Sequence, residues 1–288
     1  MNNLDSQYKQ LISQVLRYGS TLETRGTKSI YMFGTSIRHD LRDGFPAITL
    51  RNVYPLSAIK EMLIWDLQSY GLIDHPGLSK GLRKVWSNYD NGNGYVSNSY
   101  SRNWRAWPGQ ANAVYQDPRG NLKSTQTDQI LKLVYDIRNN PTSRSHVLQA
   151  YNPGAKDSMP HCHPSAVFSS DGQCLDLLVM GRSNDLVGGG MAGDLCRYGA
   201  LLQAMGQTTM LEPRYLQITN ANLHIYEADI NDAKELLYQK SHELPTLKLK
   251  FESIVGIDPK DIELVNYKYS KFTKTGSLTL GDLSSYGV

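Results

Sequence analysis

The chain has 288 residues, of which 40% are hydrophobic and 20% are charged, and its formal net charge is +3. This composition is typical of a globular protein, and so small a charge without a basic run argues against a nucleic-acid partner. The amphipathic N-terminus, MNNLDSQYKQLISQVLRYGS, predicts neither a signal peptide nor a membrane span. Three cysteines without a CxxC pair indicate a reducing compartment, so we expect a cytoplasmic protein with no membrane partner.

The first half of the chain carries three periodic segments. The opening residues place Leu11, Ile12, Val15 and Leu16 on one helical face. Residues 29–41 alternate as a strand does, with Gly34 as a bend or bulge. The apolar run over 55–71 predicts a buried helix that carries Glu61, and the Asn/Gly/Ser-rich segment 87–110 predicts a loop.

The second half mixes helices and strands in an irregular order. A capped amphipathic helix is predicted over 127–141, closed by Pro141, and a β-hairpin over 165–181 around Asp171-Gly172. A helix entered from a glycine run is predicted over 193–206, and a strand over 215–226. No repeat or linker interrupts the chain. We therefore expect an α+β fold, a mixed β-sheet packed with helices, in one domain spanning 1–288.

The segment MPHCHPSAVF offers Cys162 as a metal ligand, a nucleophile or an ordinary buried thiol. A metal site is not expected, because no further ligand follows at zinc-finger spacing. A nucleophile requires nearby cations or a helix N-terminus to lower its pKa. The segment alone leaves the nucleophile and the inert thiol open.

Three other patterns have an ordinary and a functional interpretation. VGGGMAGD lacks the spacing of a dinucleotide or phosphate loop, which leaves a helix entry with Asp194 as N-cap. Arg182 and Ser183 in GRSND suit a phosphate or a surface ion pair. His224 and Tyr226 lie on one face of a strand, where they suit a sugar hydroxyl or a hydrogen-bonded core pair.

The ordered set of motifs is more specific than any one of them. RGTKSIYMFG, DGFPAIT, the helix with Glu61, VW…SYSRNWRAWP, NNPTSR, PHCH, GRSND and NLHIY together resemble the thymidylate synthase superfamily from about residue 20 to about residue 235. Twenty residues separate Cys162 from Arg182 and fourteen separate Trp86 from Tyr100, and these are intervals of that family.

The resemblance implies a single thymidylate-synthase-like domain that forms a sheet-to-sheet homodimer. Cys162 would add to C6 of a pyrimidine nucleoside monophosphate, and C5 would take a one-carbon unit from 5,10-methylenetetrahydrofolate, with no metal. Arg182 would bind the phosphate and lower the thiol pKa. The other implied phosphate ligands are Arg25, Ser183 and, from across the dimer interface, Arg144.

The remaining implied roles concern the base, the sugar and the folate. Glu61 would organise water and shuttle protons, and Tyr100 would handle the C5 proton. His224 and Tyr226 would hold the 3′-hydroxyl. The implied folate-site residues are Trp86, Asp185 and Arg51.

Asp194 is the departure with the clearest chemical consequence. Registered by Tyr198, it replaces the asparagine that reads uracil in thymidylate synthases, and the phage deoxycytidylate hydroxymethylases of this superfamily show the same change. A carboxylate only accepts hydrogen bonds, so it suits the 4-amino group and a protonated N3 of cytosine. The N-cap role remains the alternative.

Other departures have no such clear meaning. Ser145 stands where a second cross-subunit arginine is expected, and His161 stands where proline usually precedes the cysteine. The polar tail SLTLGDLSSYGV has no match to the synthase C-terminal cap, which favours water addition over hydride transfer.

We therefore expect a methylenetetrahydrofolate-dependent deoxycytidylate 5-hydroxymethyltransferase, located in the host cytoplasm if phage-encoded. The enzyme alternatives are a cytidylate or deoxyuridylate hydroxymethylase, a thymidylate synthase and a dCMP 5-methylase. The non-enzymatic alternative is an inactive nucleotide- or RNA-binding regulator on the same scaffold.

Overall fold

The computed structural model describes residues 1–24, 26–76, 78, 80–107, 114–116, 122–124, 126–155 and 161–273. Its helices are α1 (Asn3–Tyr18), α2 (Pro55–Lys60), α3 (Lys80–Ser87), α4 (Tyr100–Arg105), α5 (Gln129–Asn139), α6 (Gly190–Thr209) and α7 (Ile230–Leu236). α2 continues directly into a π-helical segment, Glu61–Asp66. None of the helices in these ranges is long and apolar enough to cross a membrane.

The strands form two larger sheets and two separate hairpins. The strands are β1 (Ser20–Thr24), β2 (Thr27–Met32), β3 (Thr35–Asp40), β4 (Val114–Gln116), β5 (Leu122–Ser124), β6 (Val147–Gln149), β7 (Ser165–Ser170), β8 (Cys174–Gly181), β9 (Asn184–Asp185), β10 (Glu212–Asn220), β11 (Leu223–Tyr226), β12 (Thr246–Leu249) and β13 (Ile262–Val265). The larger sheets have the strand orders β3-β10-β8-β7-β6 and β1-β2-β11-β9, and the hairpins are β4-β5 and β12-β13. Both larger sheets mix parallel and antiparallel neighbours, so the predicted α+β fold is confirmed.

Three pairs of consecutive strands pass from one large sheet to the other along a common line. The pairs are β2 with β3, β8 with β9, and β10 with β11, and they occur in the same order in both sheets. The single strands predicted over 29–41 and 215–226 are therefore wrong, because each is two strands in different sheets. Gly34 supplies one of the breaks with a φ of 72°, a left-handed conformation that glycine adopts without strain.

Helix α6 is the central element of the core. It packs against β8 and β10 on one side and against α2 and the π-helical segment on the other. The prediction of a helix entered from the glycine run is confirmed, and the helix is longer than expected. Its position brings residues at its start close to the line where the sheets meet.

The local predictions elsewhere are mostly confirmed. α1 buries Leu11, Ile12 and Val15, and the hairpin of β7 and β8 turns at Gly172 with a φ of 94°. α5 begins after Asp128, whose side chain caps the helix by accepting from the Leu131 N–H. The loop predicted over 87–110 is wrong at α4, which is capped by the hydroxyl of Ser99.

Candidate active site

Cys162 lies in the turn before β7, beside the end of β8. Its carbonyl oxygen accepts a hydrogen bond of 2.8 Å from the backbone N–H of Arg182, which lies where the chain leaves β8. The Nη2 atom of Arg182 is 3.8 Å from the thiol sulfur, and its Nε donates to the carbonyl of His161 at 3.0 Å. The sheet-to-sheet passage thus places the thiol and the guanidinium together.

The pKa of the Cys162 thiol is raised above its usual value. Burial is the largest cause, because it penalises the thiolate, and Asp194 adds to it. Arg182 and Arg197 act in the opposite direction without outweighing burial. Arg182 therefore acts to lower the pKa of the thiol, as expected, but burial has the larger effect.

Tyr100, the first residue of α4, lies between two histidines that flank the cysteine. Its hydroxyl oxygen accepts from the backbone N–H of His163 at 2.9 Å and lies 3.4 Å from Nδ1 of that ring. The His161 ring meets the Tyr100 ring edge-on at 4.4 Å between centroids. Burial raises the pKa of Tyr100, so its hydroxyl is protonated near neutral pH.

His161 is buried against Tyr100. Burial lowers the pKa of its imidazole to about 4, which makes the ring neutral near neutral pH. Its Nδ1 has no hydrogen-bond partner among the described atoms.

Asp194 is a buried residue within the first turns of α6. The N-cap of this helix is Gly189, so the alternative role of Asp194 as N-cap is wrong. Its Oδ2 accepts from Nδ2 of Asn184 at 3.1 Å and lies 3.1 Å from Nε2 of His163. The histidine nitrogen is close enough for an ion pair but is not aligned for a hydrogen bond.

The pKa of the Asp194 carboxyl is below its usual value although the group is buried. Burial acts to raise it, and the combined effects of His163, Arg197 and the Asn184 amide outweigh that cost. Asp194 is therefore a carboxylate near neutral pH, and it retains free acceptor capacity, because each of its oxygens carries two lone pairs.

Arg197 is a site residue that the sequence interpretation missed. It follows Asp194 by three residues on α6 and lies amid three carboxylates. Its Nη2 is 2.7 Å from Oδ2 of Asp66, its Nη1 is 3.5 Å from Oδ1 of Asp194, and its Nε is 3.9 Å from Oε2 of Glu61. The available signal was one basic side chain in the mostly small and apolar run GDLCRYGALLQAMG, three residues after Asp194.

Glu61 and Trp86 are hydrogen-bonded neighbours, and Glu61 lies beside Arg197. The indole Nε1 of Trp86 donates to Oε1 of Glu61 at 3.2 Å, and its ring stacks on Trp65 with centroids 5.2 Å apart. Burial raises the pKa of Glu61, Arg197 opposes this, and Asp194 adds to it. A carboxyl with a raised pKa binds a proton more readily than an ordinary glutamate, which suits a proton shuttle.

Asp185 is fixed by the loop that follows β9. Its Oδ1 accepts from the backbone N–H groups of Val187 and Gly188 at 3.0 and 2.9 Å. Arg51 is buried and donates from Nη2 to the carbonyl of Val187 at 2.8 Å. A Cβ atom on Gly188 would lie 1.8 Å from Oδ2 of Asp185, so any larger residue there would displace the carboxylate.

His224 and Tyr226 lie on one face of β11, as expected from their spacing. Their rings meet edge-on at 4.8 Å, and His224 is in register with Asp185 of β9. Burial lowers the pKa of His224, which favours the neutral ring, and its Nδ1 is 3.0 Å from Oδ1 of Asn222. Ser183, half-buried, separates Arg182 from β9.

Two of the expected phosphate ligands are not placed at the site. Arg25 lies outside the described residues. Arg144 is exposed in the loop before β6, with the exposed Ser145 next to it. Within the described ranges, no group of three or more His, Cys, Asp and Glu side chains could hold a metal ion.

Comparisons with known proteins identify the family of this chain. The thymidylate synthase family model matches residues 6–276. The enzymes of this class transfer one-carbon units from folate to C5 of pyrimidines. A thymidylate synthase from Corynebacterium aurimucosum is 31% identical over 269 residues, which is 92% of this chain and 94% of that protein. The chain belongs to the thymidylate synthase family. Its members bind a pyrimidine nucleotide, use 5,10-methylenetetrahydrofolate as co-substrate and need no metal.

Proposed function

We propose that this chain converts dCMP to 5-hydroxymethyl-dCMP with 5,10-methylenetetrahydrofolate, through a covalent adduct of Cys162 at C6. The observation that carries the proposal is the buried Asp194, with its pKa held below the usual value. A carboxylate at this position accepts from the 4-amino group of cytosine and stabilises a proton at N3. Facing uracil, it sets acceptor against acceptor at O4, which costs about 1–3 kcal/mol in a buried site.

The nucleophilic step uses the cysteine turn. Addition of the Cys162 thiolate to C6 makes C5 electron-rich, and a proton held at N3 by Asp194 draws charge from the ring during this addition. Arg182, 3.8 Å from the sulfur, would bind the nucleotide phosphate and favour the thiolate. Ser183, Arg25 and Arg144 would share the phosphate, and His224 with Tyr226 would bind the sugar hydroxyl.

The folate side of the site fits a flat, polar ring system. Trp86 offers an indole already stacked on Trp65, and Asp185 offers a carboxylate that backbone N–H groups hold in one orientation. Arg51 donates a hydrogen bond to the carbonyl of Val187 in the same loop. The folate supplies the one-carbon unit. Glu61 would order water and move protons beside the base, and Tyr100 would handle the C5 proton.

Addition of water, rather than hydride, is favoured by the polar lining of the site. The buried polar atoms without a hydrogen-bond partner among the described residues include Nδ1 of His161. Buried polar atoms normally find a partner, so this nitrogen is a candidate to bind substrate or an ordered water. The C-terminal tail, whose sequence also favours water addition, lies outside the described residues.

We also propose a homodimer that packs sheet against sheet. The outer face of the five-stranded sheet exposes apolar side chains, with 42% of Leu178, 51% of Met180 and 47% of Val147 exposed. Arg144 precedes β6, the edge strand of that sheet, so a partner on this face would bring Arg144 close to the partner's own site. The same proposal treats residues 1–288 as one catalytic domain that works in the cytoplasm without nucleic acid.

The second candidate function is thymidylate synthesis from dUMP, which is favoured by the 31% identity to a thymidylate synthase. One experiment separates the candidates: the protein is incubated with dCMP, CMP or dUMP plus methylenetetrahydrofolate, and the products are identified by mass. The proposal expects a hydroxymethyl product from dCMP. A methylated product from dUMP would establish the second candidate, and no product from any nucleotide would favour a binding protein.

A further inference from the structure

Asp66 and Arg197 form a buried ion pair at the edge of the site. Asp66, the last residue of the π-helical segment, is 0% exposed, and its Oδ2 accepts from Nη2 of Arg197 at 2.7 Å. Its Oδ1 has no hydrogen-bond partner among the described atoms. A buried ion pair often contributes less to stability than apolar side chains of the same volume, so its presence here calls for another role.

The geometry of the guanidinium indicates that role. Only the contact with Asp66 is short enough for a hydrogen bond of good geometry, so Asp66 fixes one edge of the group. The opposite atoms, Nη1 and Nε, face Asp194 at 3.5 Å and Glu61 at 3.9 Å. Arg197 is thus a fixed positive charge between the base-reading carboxylate and the proton-shuttling carboxyl.

We propose that Arg197, held by Asp66, is a positioning residue that keeps Asp194 ionised and thereby sets the preference of the site for a 4-aminopyrimidine. The inference rests on the proposed function, because only the ionised carboxylate discriminates between an amino group and a carbonyl at C4. A protonated Asp194 would carry a donor as well as an acceptor and would accept uracil as an asparagine does.

His163 and Arg197 both act to lower the pKa of Asp194, and His163 is the larger of the two influences. His163 lies against Oδ2 from the cysteine turn, and Asn184 donates to the same oxygen from β9. Arg197 is the cation at the other oxygen, Oδ1. The further titratable groups around the carboxylate are Cys162 from the same turn, Tyr100 of α4, Tyr198 of α6, and Glu61 and Asp66 of the π-helical segment.

The test measures the ratio of kcat/KM for dCMP to that for dUMP as a function of pH. Arg197→Met combined with Asp66→Leu removes the cation together with Asp66, the carboxylate that hydrogen-bonds to it, so that Asp66 is not left buried without its partner. Loss of a cation this close raises a carboxyl pKa by about 1–3 units. We expect the ratio in the double variant to fall about tenfold for each pH unit below the new pKa, whereas the wild-type ratio changes little over the same range.

Two controls separate this effect from a loss of structure. Arg197→Lys keeps the positive charge and should restore most of the wild-type ratio at low pH. When Asp194 is replaced by Asn, no carboxyl remains at this position to titrate. The ratio should then show no pH dependence from this position, whether or not Arg197 is present. If the double variant does not fold, Arg197→Gln gives the same measurement with a polar, uncharged side chain.

The possible results distinguish the two proposals. A folded, active double variant whose ratio follows the wild type at every pH would overturn the role of Arg197 and leave the proposed function intact. Wild-type protein that turns over only dUMP would overturn the proposed function, and the inference with it, before any variant is measured.

Discussion

The thiol sulfur of Cys162 lies 3.8 Å from Nη2 of Arg182, and the backbones of the same two residues share a hydrogen bond. This main-chain hydrogen bond keeps the two residues next to each other. The position of the guanidinium beside the sulfur therefore does not depend on the flexible side chain of Arg182 alone. Burial nevertheless keeps the pKa of the free thiol above its usual value. Both effects can be measured separately.

The first prediction concerns the reactivity of the thiol in the protein without nucleotide. Alkylation of Cys162 by iodoacetamide should show a midpoint above about pH 8.5, the value for a free cysteine. Arg182→Gln should move the midpoint further up by about one unit, because the nearest cation is lost. The background is measured on Cys162→Ser, since Cys174 and Cys196 are buried. A midpoint that falls on removal of Arg182 would contradict the assignment.

Replacing the nucleophile should separate chemistry from binding. Cys162→Ser should abolish turnover, because a serine hydroxyl without an adjacent base is a far poorer nucleophile near neutral pH. Nucleotide binding, measured by calorimetry, should remain because the phosphate and sugar contacts do not involve the sulfur. Substantial turnover by this variant would show that Cys162 is not the nucleophile.

Base preference should reverse when the carboxylate becomes an amide. Asp194→Asn keeps the volume of the side chain but replaces one acceptor by a donor, which pairs with O4 of uracil and opposes the amino group of cytosine. A buried mismatch of about 1–3 kcal/mol corresponds to roughly 5- to 150-fold for each substrate. We expect kcat/KM to fall for dCMP and to rise for dUMP. A ratio within about twofold of the wild type would remove the main support for cytosine.

The same variant makes a prediction about stability and pH. Because the folded protein lowers the pKa of Asp194, the ionised group stabilises the fold above the pKa of aspartate in the unfolded chain, about 3.9. This contribution is lost as the pH falls from there toward the lower folded pKa. The difference in free energy of unfolding between wild type and Asp194→Asn should therefore be largest near neutral pH and shrink in acid, as urea titrations at several pH values would reveal.

The glycine run offers a matched pair of variants for the folate side. Gly188→Ala would place a Cβ atom 1.8 Å from Oδ2 of Asp185, so the carboxylate has to move. Gly193→Ala adds a methyl group with no atom within 4 Å. We expect the first to raise KM for the folate by tenfold or more, with a smaller effect on KM for the nucleotide, and the second to change neither. Equal effects of both variants would argue against Asp185 as a folate ligand.

Assembly can be tested by mixing two inactive variants. If Arg144 reaches the phosphate site of the neighbouring subunit, Arg144→Ala and Cys162→Ser should form heterodimers in which one site carries neither defect. Mixing should then restore part of the activity, measured after the two proteins have exchanged subunits. A fully active monomer in analytical ultracentrifugation at assay concentrations would contradict this arrangement.

Local signals in the sequence were enough for the elements that local interactions determine. The periodicity of α1, the Asp128 cap of α5 and the Asp171-Gly172 turn each act within a few residues, and each prediction is confirmed. α4 was missed because it is a single short helix inside an Asn/Gly/Ser-rich segment. The division of 215–226 into β10 and β11 depends on pairing with other strands, which no local pattern encodes.

The prediction of site residues from the sequence has the same limit. Cys162, Arg182 and Asp194 were recognisable through motifs and their spacing. The partnership of Asp66 with Arg197 joins residues 131 positions apart, a pairing that no spacing within a motif predicts. Only the packing of α6 on the π-helical segment brings the two charges together.

Because of the π-helical segment, the arrangement of these charges depends on the number of residues in one helical turn. In an α-helix, at about 100° per residue, side chains five positions apart point well away from each other. The i→i+5 bonding here, seen in the bond from the Leu67 N–H to the Met62 carbonyl, widens the turn so that Glu61 and Asp66 meet one guanidinium. Inserting or deleting one residue in this turn would separate the two acids without changing either side chain. The spacing of backbone units, as much as the identity of the acids, therefore decides which charges the substrate meets.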